Sequence, residues 1–321
     1  MITSQPAGFL IPENILLDNM KKGPVTPKGF RDIKPELALK RRRVINKIAA
    51  VLESFGFVPI ETPTIEFAET LLGKYGEEEK LIYQFTDRGG RKLALRFDLT
   101  VPLARFVANN LGLLTPSFSR YQVGQVFRGE KPQKGRFREF AQFDFDTVGT
   151  KDIKEDAKII ACAIRIAREL GLSKAMMAIN DRKFFKDMPI EVVRVWDKFY
   201  KIGEDGIRKE LIKSGFSEKE SDNYIRTLQD AKRTKDYEEV KSILEKEYGL
   251  ESEKDFYFDR TLARGLDYYT GIVFELKPSN KPEDLSIGGG GRYDNLIGTF
   301  AGREIPAVGF SFGLDRFIEL V

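Results

Sequence analysis

The sequence predicts an α+β fold in which an antiparallel sheet is flanked by helices and interrupted by a small helical insertion. Two pairs of strand-like segments joined by polar loops predict hairpins of an antiparallel sheet. Apolar residues at helical spacing predict the flanking helices. The insertion is predicted over residues 181–254, a highly charged, helix-rich stretch whose composition differs from its surroundings. We therefore expect a domain formed by residues 1–180 and 255–321, with the insertion between its two parts.

The first part begins with a helix and a short strand. Apolar residues recur at helical spacing over 35–55, and Gly56 is a natural stop for that helix. Residues 57–60 predict a short strand, and Pro63 follows in a segment that must be extended or turning because the proline ring fixes φ. Residues 1–25 show no clear period, so we expect no regular structure there.

The first hairpin is predicted to join strands at 82–86 and 91–97 through a turn at 87–90. The second strand ends in the string RFDLT, which leads into a helix. Asp98 and Thr100 lie at this junction. Helix capping alone would explain both residue types.

The second hairpin, over residues 118–148, places polar and apolar side chains on opposite faces of its return strand, 136–148. The apolar face is expected to be core. The opposite face carries Arg138, Phe140, Gln142, Asp144 and Asp146. A solvated sheet face would explain that pattern.

Charges near the loop of this hairpin favour a binding site over a solvated face. Arg128 ends the outgoing strand, and the loop and the start of the return strand add Glu130, Lys131, Lys134 and Arg136. Cations beside a polar sheet face suit an anionic ligand held next to a cationic one.

The later elements return to the sheet. A helix is predicted over 151–172, a strand over 173–179, and the sheet resumes at Phe256. Four consecutive glycines at 288–291 allow a close approach of backbone and ligand. Residues 306–317 predict a strand that enters a helix.

Composition excludes several kinds of chemistry for these 321 residues. The chain contains 41% apolar and 32% charged residues, which is typical of a globular protein. It contains no histidine, which excludes Ser-His-Asp and Cys-His catalysis, and its one cysteine, Cys162, makes a structural zinc site untenable. The net charge of +4 permits a nucleic-acid partner without arguing for one. No secretory signal or membrane-spanning apolar run is evident, so we expect a cytoplasmic protein.

Four segments carry a resemblance to one family. RGLDYYTG (264–271), the second hairpin FRGEKPQKGRFREFAQFDFD (127–146), IGGGGRYDNL (287–296) and PAVGFSFGLDRF (306–317) resemble the signature segments of histidyl-tRNA synthetases, which follow one another along the chain in the family's order. The second and fourth resemble motifs 2 and 3 of class II synthetases, and the helix, short strand and Pro63 resemble the dimer-forming motif 1. The resemblance covers roughly residues 25–321.

The resemblance implies a class II synthetase fold and a histidine–tRNA ligase that forms histidyl-adenylate from histidine and ATP, with Mg²⁺, and transfers histidine to tRNA(His). It also implies a homodimer and an insertion that contacts the tRNA acceptor stem. The implied catalytic residues are Arg264 and Arg128. The implied histidine-binding residues are Asp98, Thr100, Gln142, Asp146, Tyr268, Tyr269 and Tyr293. The implied ATP-binding residues are Arg128, Glu130, Arg136 and Arg316.

Some positions depart from the commoner pattern of the family. Asp98 and Asp146 stand where many bacterial relatives carry Glu, and the pair Asp144 and Asp146 resembles the archaeal and eukaryotic branch. Asp is one methylene shorter, so the pocket must close in or use water. Ala141 is also smaller than the residue expected there.

Two alternatives remain open. The sequence as given ends in GLDRFIELV, where full histidyl enzymes continue into an anticodon-binding domain. We therefore expect either the catalytic core of a longer enzyme or a natural short paralogue. A non-charging paralogue that acts as the regulatory subunit of ATP phosphoribosyltransferase would share the fold. A second alternative is a synthetase-like module that senses uncharged tRNA. The complete set Arg128, Arg264 and Arg316 with Gln142 favours the enzyme over both, because a sensor has no chemical need for it.

Overall fold

The computed structural model describes residues 24–114, 117–133, 135–264, 268–279 and 285–321. The expectation for residues 1–23, and the candidate residues Lys134 and Asp267, lie outside these ranges. The α-helices of the described chain are α1 (Pro35–Ser54), α2 (Ala68–Leu71), α3 (Thr100–Asn109), α4 (Ile153–Glu169), α5 (Ile190–Trp196), α6 (Phe199–Lys213), α7 (Glu218–Gln229), α8 (Lys235–Tyr248), α9 (Gly298–Ala301) and α10 (Leu314–Leu320). The strands are β1 (Val58–Pro59), β2 (Ile65–Phe67), β3 (Gln84–Thr86), β4 (Lys92–Leu95), β5 (Phe118–Phe127), β6 (Glu139–Val148), β7 (Met176–Asp181), β8 (Phe256–Phe258), β9 (Ile272–Lys277), β10 (Gly288–Arg292) and β11 (Ala307–Gly313).

The strands form two sheets. The larger has eight strands in the order β1-β5-β6-β11-β10-β9-β7-β8, and the smaller has three in the order β2-β4-β3. All pairs are antiparallel except β1 with β5 and β7 with β8 at the two ends of the large sheet. The predicted α+β class, an antiparallel sheet flanked by helices, is confirmed.

The main core lies on one face of the large sheet. Helices α1, α4, α8 and α10 pack there, and β6 contributes Phe143 and Phe145. Because side chains alternate along a strand, Asp144 and Asp146 must lie on the other face. The predicted division of this strand into an apolar and a polar face is therefore confirmed. The polar face is not solvated, however, since both aspartates are buried.

A second cluster packs against the opposite face of the sheet. It combines α3 and residues around α9 with apolar side chains of the sheet such as Val148, Val273 and Ala307. Between this cluster and the polar face of β6 a cleft remains open, and the candidate residues line it.

Several predicted strands are shorter than expected: 57–60 is observed as β1 (Val58–Pro59) and 91–97 as β4 (Lys92–Leu95), and two others start later. The return strand begins at Glu139 and not at 136, because Gln133 and Arg136 pair with each other across the loop. The first hairpin strand begins at Gln84 and not at 82, and a 3₁₀ helix, Gly76–Leu81, ends two residues before it.

The helices between β7 and β8 divide into two groups. Side chains of α5, α6 and α7 form a small separate core around Trp196, Ile207 and Leu228. In contrast, α8 places Tyr237, Val240 and Leu244 in the main core, where it packs on α4. Among the residues that the structure describes, no helix has both the length and the apolar character needed to cross a membrane.

Candidate active site

Two adjoining cavities open on the polar face of the large sheet. One has a volume of about 290 Å³ and the other of about 350 Å³. Both are lined by Glu78, Arg128, Arg264, Gly289 and Gly313, so these residues mark the junction of the cavities. We call the first the inner chamber and the second the outer chamber.

The structure brings all seven candidate histidine-binding residues together in the inner chamber. They come from the start of α3, from β6 and from two later segments of the chain. The seven residues are Asp98, Thr100, Gln142, Asp146, Tyr268, Tyr269 and Tyr293. The lining of this chamber therefore combines buried acids with hydroxyl groups and an amide.

Asp98 is held firmly at the junction between β4 and α3. Its Oδ1 accepts hydrogen bonds from the Tyr75 hydroxyl and from the backbone N–H of Val101, both at 3.0 Å. The second bond is a helix-start contact, so the capping explanation of Asp98 also applies. Burial raises the pKa of Asp98, although hydrogen bonds to the carboxylate oppose that rise.

Asp146 is held from two sides. The Tyr293 hydroxyl donates to Oδ1, and a guanidinium nitrogen of Arg120 lies 2.6 Å from Oδ2. Arg120 is completely buried. On the neighbouring strand the residue opposite Asp146 is Gly309, where an added Cβ would lie only 1.8 Å from Oδ1. The position of the carboxylate thus depends on the absence of a side chain at 309.

Three tyrosines form an aromatic wall beside these acids. The ring of Tyr268 lies 4.7 Å from that of Tyr269 and 5.9 Å from that of Tyr293, measured between centroids. Burial, together with neighbouring groups, raises the pKa of Tyr268 and of Tyr293 far above the ordinary value. Both hydroxyls are therefore neutral hydrogen-bonding groups at physiological pH.

The two candidate catalytic arginines lie where the chambers meet. Arg128 donates from Nε to the carbonyl oxygen of Phe97 at 3.2 Å, and its guanidinium lies 4.3 Å from the centroid of the Phe97 ring. Arg264 forms a 2.6 Å ion pair with Glu275, while its buried Nε has no hydrogen-bond partner. Two cations with unused donor capacity are suited to an anion at this junction.

Arg264 explains why a glycine is needed at one position of the run 288–291. Arg264 itself has a φ of +55°, a conformation that non-glycine residues rarely adopt. A Cβ at Gly289 would lie 2.6 Å from Arg264 Nη1. The glycine at 289 therefore leaves room for this guanidinium.

The remaining candidate ATP-binding residues line the outer chamber. Arg136 lies 3.3 Å from Glu130, and Arg316 donates to the carbonyl oxygen of Ser286 at 2.9 Å. Phe137 and Phe140 add flat apolar surfaces to the same chamber. Such a set can hold both a planar base and phosphate groups.

Several residues of the site escaped the analysis of the sequence. They are Tyr75, which binds Asp98; Arg120, which pairs with Asp146; Glu275, which pairs with Arg264; and Asp315, which faces the outer chamber. Asp315 accepts from the backbone N–H of Ala141 at 2.8 Å and pairs with Arg31 and Arg41. Tyr75, Arg120 and Glu275 lie outside the four segments that carry the resemblance. Asp315 lies within PAVGFSFGLDRF, but its partners Arg31, Arg41 and Ala141 are distant in sequence.

The described residues contain no group of three or more His, Cys, Asp or Glu side chains that could hold a metal ion. Mg²⁺ in nucleotide sites usually binds the phosphates plus one or two carboxylates and keeps several waters. Single carboxylates beside the junction, such as Glu78, are compatible with that mode.

Known proteins resemble this chain over most of its length. Residues 29–192 and 209–317 match the family model of histidyl-tRNA synthetase. A histidine–tRNA ligase from Aeropyrum pernix is 42% identical over 92% of this chain and 74% of its own length, and one from Treponema denticola is 41% identical over 92% and 72%. The crystal structure of histidyl-tRNA synthetase from Nostoc sp. PCC 7120 superposes with a TM-score of 0.77 at 32% identity, covering 92% of this chain and 74% of that one. The chain therefore belongs to the histidyl-tRNA synthetase family.

Proposed function

We propose that this protein activates histidine with ATP to form histidyl-adenylate and then transfers histidine to tRNA(His). The observation that carries the proposal is the junction of the two chambers at Arg128 and Arg264. An acid-lined inner chamber suits an amino acid with its cationic ammonium group. An outer chamber with arginines and aromatic rings suits ATP. The two reacting groups would meet between the two arginines.

In the inner chamber, Asp98, Thr100 and Gln142 are the candidates to bind the ammonium group. The burial of Gln142 Oε1 without a hydrogen-bond partner supports this assignment, because an ammonium N–H would satisfy it. Asp146, Tyr268, Tyr269 and Tyr293 would surround the imidazole ring. In the outer chamber Glu130, Arg136 and Arg316 would hold ATP.

The chemistry requires no general base. The histidine carboxylate is already ionised and attacks the α-phosphorus, which expels pyrophosphate. Arg128 and Arg264 would stabilise the negative charge that develops on the phosphate, since a preorganised cation in a partly buried site acts strongly there. Mg²⁺ would arrive on the phosphates of ATP and supply further positive charge.

Histidine-dependent exchange between ATP and pyrophosphate tests the first step. We expect exchange with histidine and not with a panel of other amino acids, followed by charging of tRNA(His) in a second assay. Histidine binding without any exchange would contradict the proposal and favour the regulatory-subunit alternative. Under that alternative, the presence of both Arg128 and Arg264 at the junction would have no chemical purpose.

Three further features are part of the proposal. The helices between β7 and β8 would contact the tRNA acceptor stem. A homodimer is supported by apolar side chains exposed on β1, on β5 and on the small sheet, namely Val58, Val123, Ile65, Phe67 and Phe85. A cytoplasmic location would follow from a role in protein synthesis.

A further inference from the structure

The candidate catalytic residue Arg264 is held in an unfavourable backbone conformation. Its φ of +55° lies in the left-handed region, which side chains other than glycine rarely adopt. Such a conformation persists only where the surrounding structure imposes it. The groups that impose it at Arg264 therefore also determine where its guanidinium lies.

The side chain of Arg182 binds both peptide groups that flank Arg264. Its Nη1 donates to the carbonyl oxygen of Ala263 at 2.7 Å and to that of Arg264 at 3.0 Å. Because each peptide group is planar, φ and ψ of a residue describe how the planes before and after its Cα are turned against each other. One nitrogen that holds the carbonyl groups of both planes thus restricts φ and ψ of Arg264.

The backbone of Arg182 binds the other end of the segment 264–271. Its N–H donates to the carbonyl oxygen of Gly271 at 2.8 Å. Residue 182 is therefore attached to this segment where the segment begins and where it ends.

The position of Arg182 is itself fixed by its neighbour. Strand β7 ends at Asp181, and a short 3₁₀ helix, Arg182–Phe185, follows. The completely buried Asp181 accepts from the backbone N–H of Lys183 at 2.9 Å and from the hydroxyl of Thr234 at 2.7 Å. The guanidinium of Arg182 thus extends from a rigid corner of the fold, which suits it to support another residue.

Two acids permit a second cation so close to Arg264. Glu275 forms a 2.6 Å ion pair with Arg264. Burial raises the pKa of Asp197, and the positive charges of Arg264 and Arg182 oppose that rise, so both cations act on this carboxylate. Glu275 and Asp197 therefore offset the repulsion between the two guanidinium groups.

We propose that Arg182 is a positioning residue for the activation of histidine, because it holds the backbone of Arg264 in the conformation that brings the Arg264 guanidinium to the junction of the two chambers. This inference rests on the proposed function. Arg182 is not among the described residues that line either chamber. It therefore acts through Arg264 and not on the substrates.

The substitution Arg182→Ala releases both carbonyl groups and lets Arg264 relax to an ordinary backbone conformation. Since a displacement of about 1 Å at a reacting group can cost about a hundredfold in rate, we expect kcat for histidine-dependent ATP–pyrophosphate exchange to fall at least about tenfold. KM for histidine and for ATP should change less than about threefold, because the other candidate binding residues are untouched. Arg182→Lys keeps a cationic donor on a shorter side chain and should recover part of the loss.

A double-mutant cycle distinguishes this role from a general loss of structure. If Arg182 acts through Arg264, adding Arg182→Ala to Arg264→Ala lowers kcat no further, whereas independent damage would multiply the two losses. Arg260→Ala is the matched control, since the Arg260 side chain also donates to a backbone carbonyl oxygen, that of Gln229. It should keep the wild-type kcat. All variants are compared at a temperature at which circular dichroism shows them folded.

The outcomes separate this inference from the proposed function. A near-normal kcat of Arg182→Ala, or losses that multiply in the double variant, overturns the role of Arg182 alone. A wild-type chain without exchange overturns the proposed function and this inference with it. If Arg182→Ala does not fold, the same cycle with Arg182→Lys decides, because a wild-type kcat or a multiplied loss refutes the proposal.

Discussion

The substitution Gly309→Ala tests how tightly the carboxylate of Asp146 is packed in the inner chamber. Gly309 lies opposite Asp146 in the register of β6 and β11. A Cβ there would lie 1.8 Å from Asp146 Oδ1, whereas real Cβ atoms essentially never approach another heavy atom within 3.0 Å. The Asp146 carboxylate must therefore retreat by more than about 1 Å. That movement separates it from the Tyr293 hydroxyl and from Arg120.

The size of the effect follows from these contacts. In an open strand position, Gly→Ala would stabilise the fold by about 0.5–1 kcal/mol. Breaking a buried ion pair costs about 3–5 kcal/mol. We therefore expect the free energy of unfolding to fall by about 2–4 kcal/mol. Loss of one hydrogen bond from Asp146 to histidine, about 1.5–3 kcal/mol for a charged group, should raise the KM for histidine at least tenfold.

Urea denaturation measures the first quantity, and ATP–pyrophosphate exchange at varied histidine and ATP measures the second. The KM for ATP should change much less, because Gly309 does not line the outer chamber. Gly112→Ala is the control, since nothing lies within 4 Å of a Cβ added there and its φ is not in the left-handed region. If Gly309→Ala were as stable and as active as Gly112→Ala, our account of how Asp146 is held would be wrong.

Three further predictions concern the junction, the stability of the fold and the assembly. Arg264→Ala should lower the rate of exchange about a hundredfold or more, measured at a temperature at which circular dichroism shows the variant folded, because the change also leaves Glu275 without its ion-pair partner; near-normal adenylate formation would refute its catalytic role. Because the pKa of Asp144 is raised from 3.8 to about 7 in the folded chain, the native state holds a proton that the unfolded state loses, so this group weakens stability as pH rises from about 4 to 7. Asp144→Asn removes that effect and should gain about 2–4 kcal/mol of stability relative to wild type between pH 4 and 7; parallel stability profiles of the two proteins would contradict it. Light scattering should give the mass of a dimer, and Phe67→Asp, at an exposed side chain of β2, should shift it towards the monomer, whereas a monomeric wild type would exclude the dimer.

Periodicity was enough to predict the division of β6 into two faces. Phe143 and Phe145 point to the core and the two aspartates to the cleft, because a strand has a period of two and an antiparallel sheet must bury one face. The burial of both aspartates did not follow from the pattern alone. It arises because helix α3 and the aromatic wall of Tyr268, Tyr269 and Tyr293 cover the face that the pattern would leave to solvent.

The partners of the site residues could not be predicted in the same way. In the sequence, Arg120 occupies an ordinary polar position of the strand that becomes β5. Only the register of β5 against β6 places it opposite Asp146. Tyr75 reaches Asp98 from a segment without regular periodicity. The placement of Arg128 and Arg264 in one site was implied by resemblance alone, since 135 residues lie between them in the sequence and no local signal connects them.

The use of one strand for both core and cleft affects how histidine is recognised. The backbone of β6 is fixed by the packing of Phe143 and Phe145 and by hydrogen bonds to β5 and β11. The conformational entropy of the carboxylates on its other face is therefore largely lost when the chain folds and not when the ligand arrives. A preorganised floor of this kind lets more of the interaction energy appear as affinity. Loosening the core, even at a residue that never touches the ligand, should thus make histidine bind more weakly and with a larger entropic penalty.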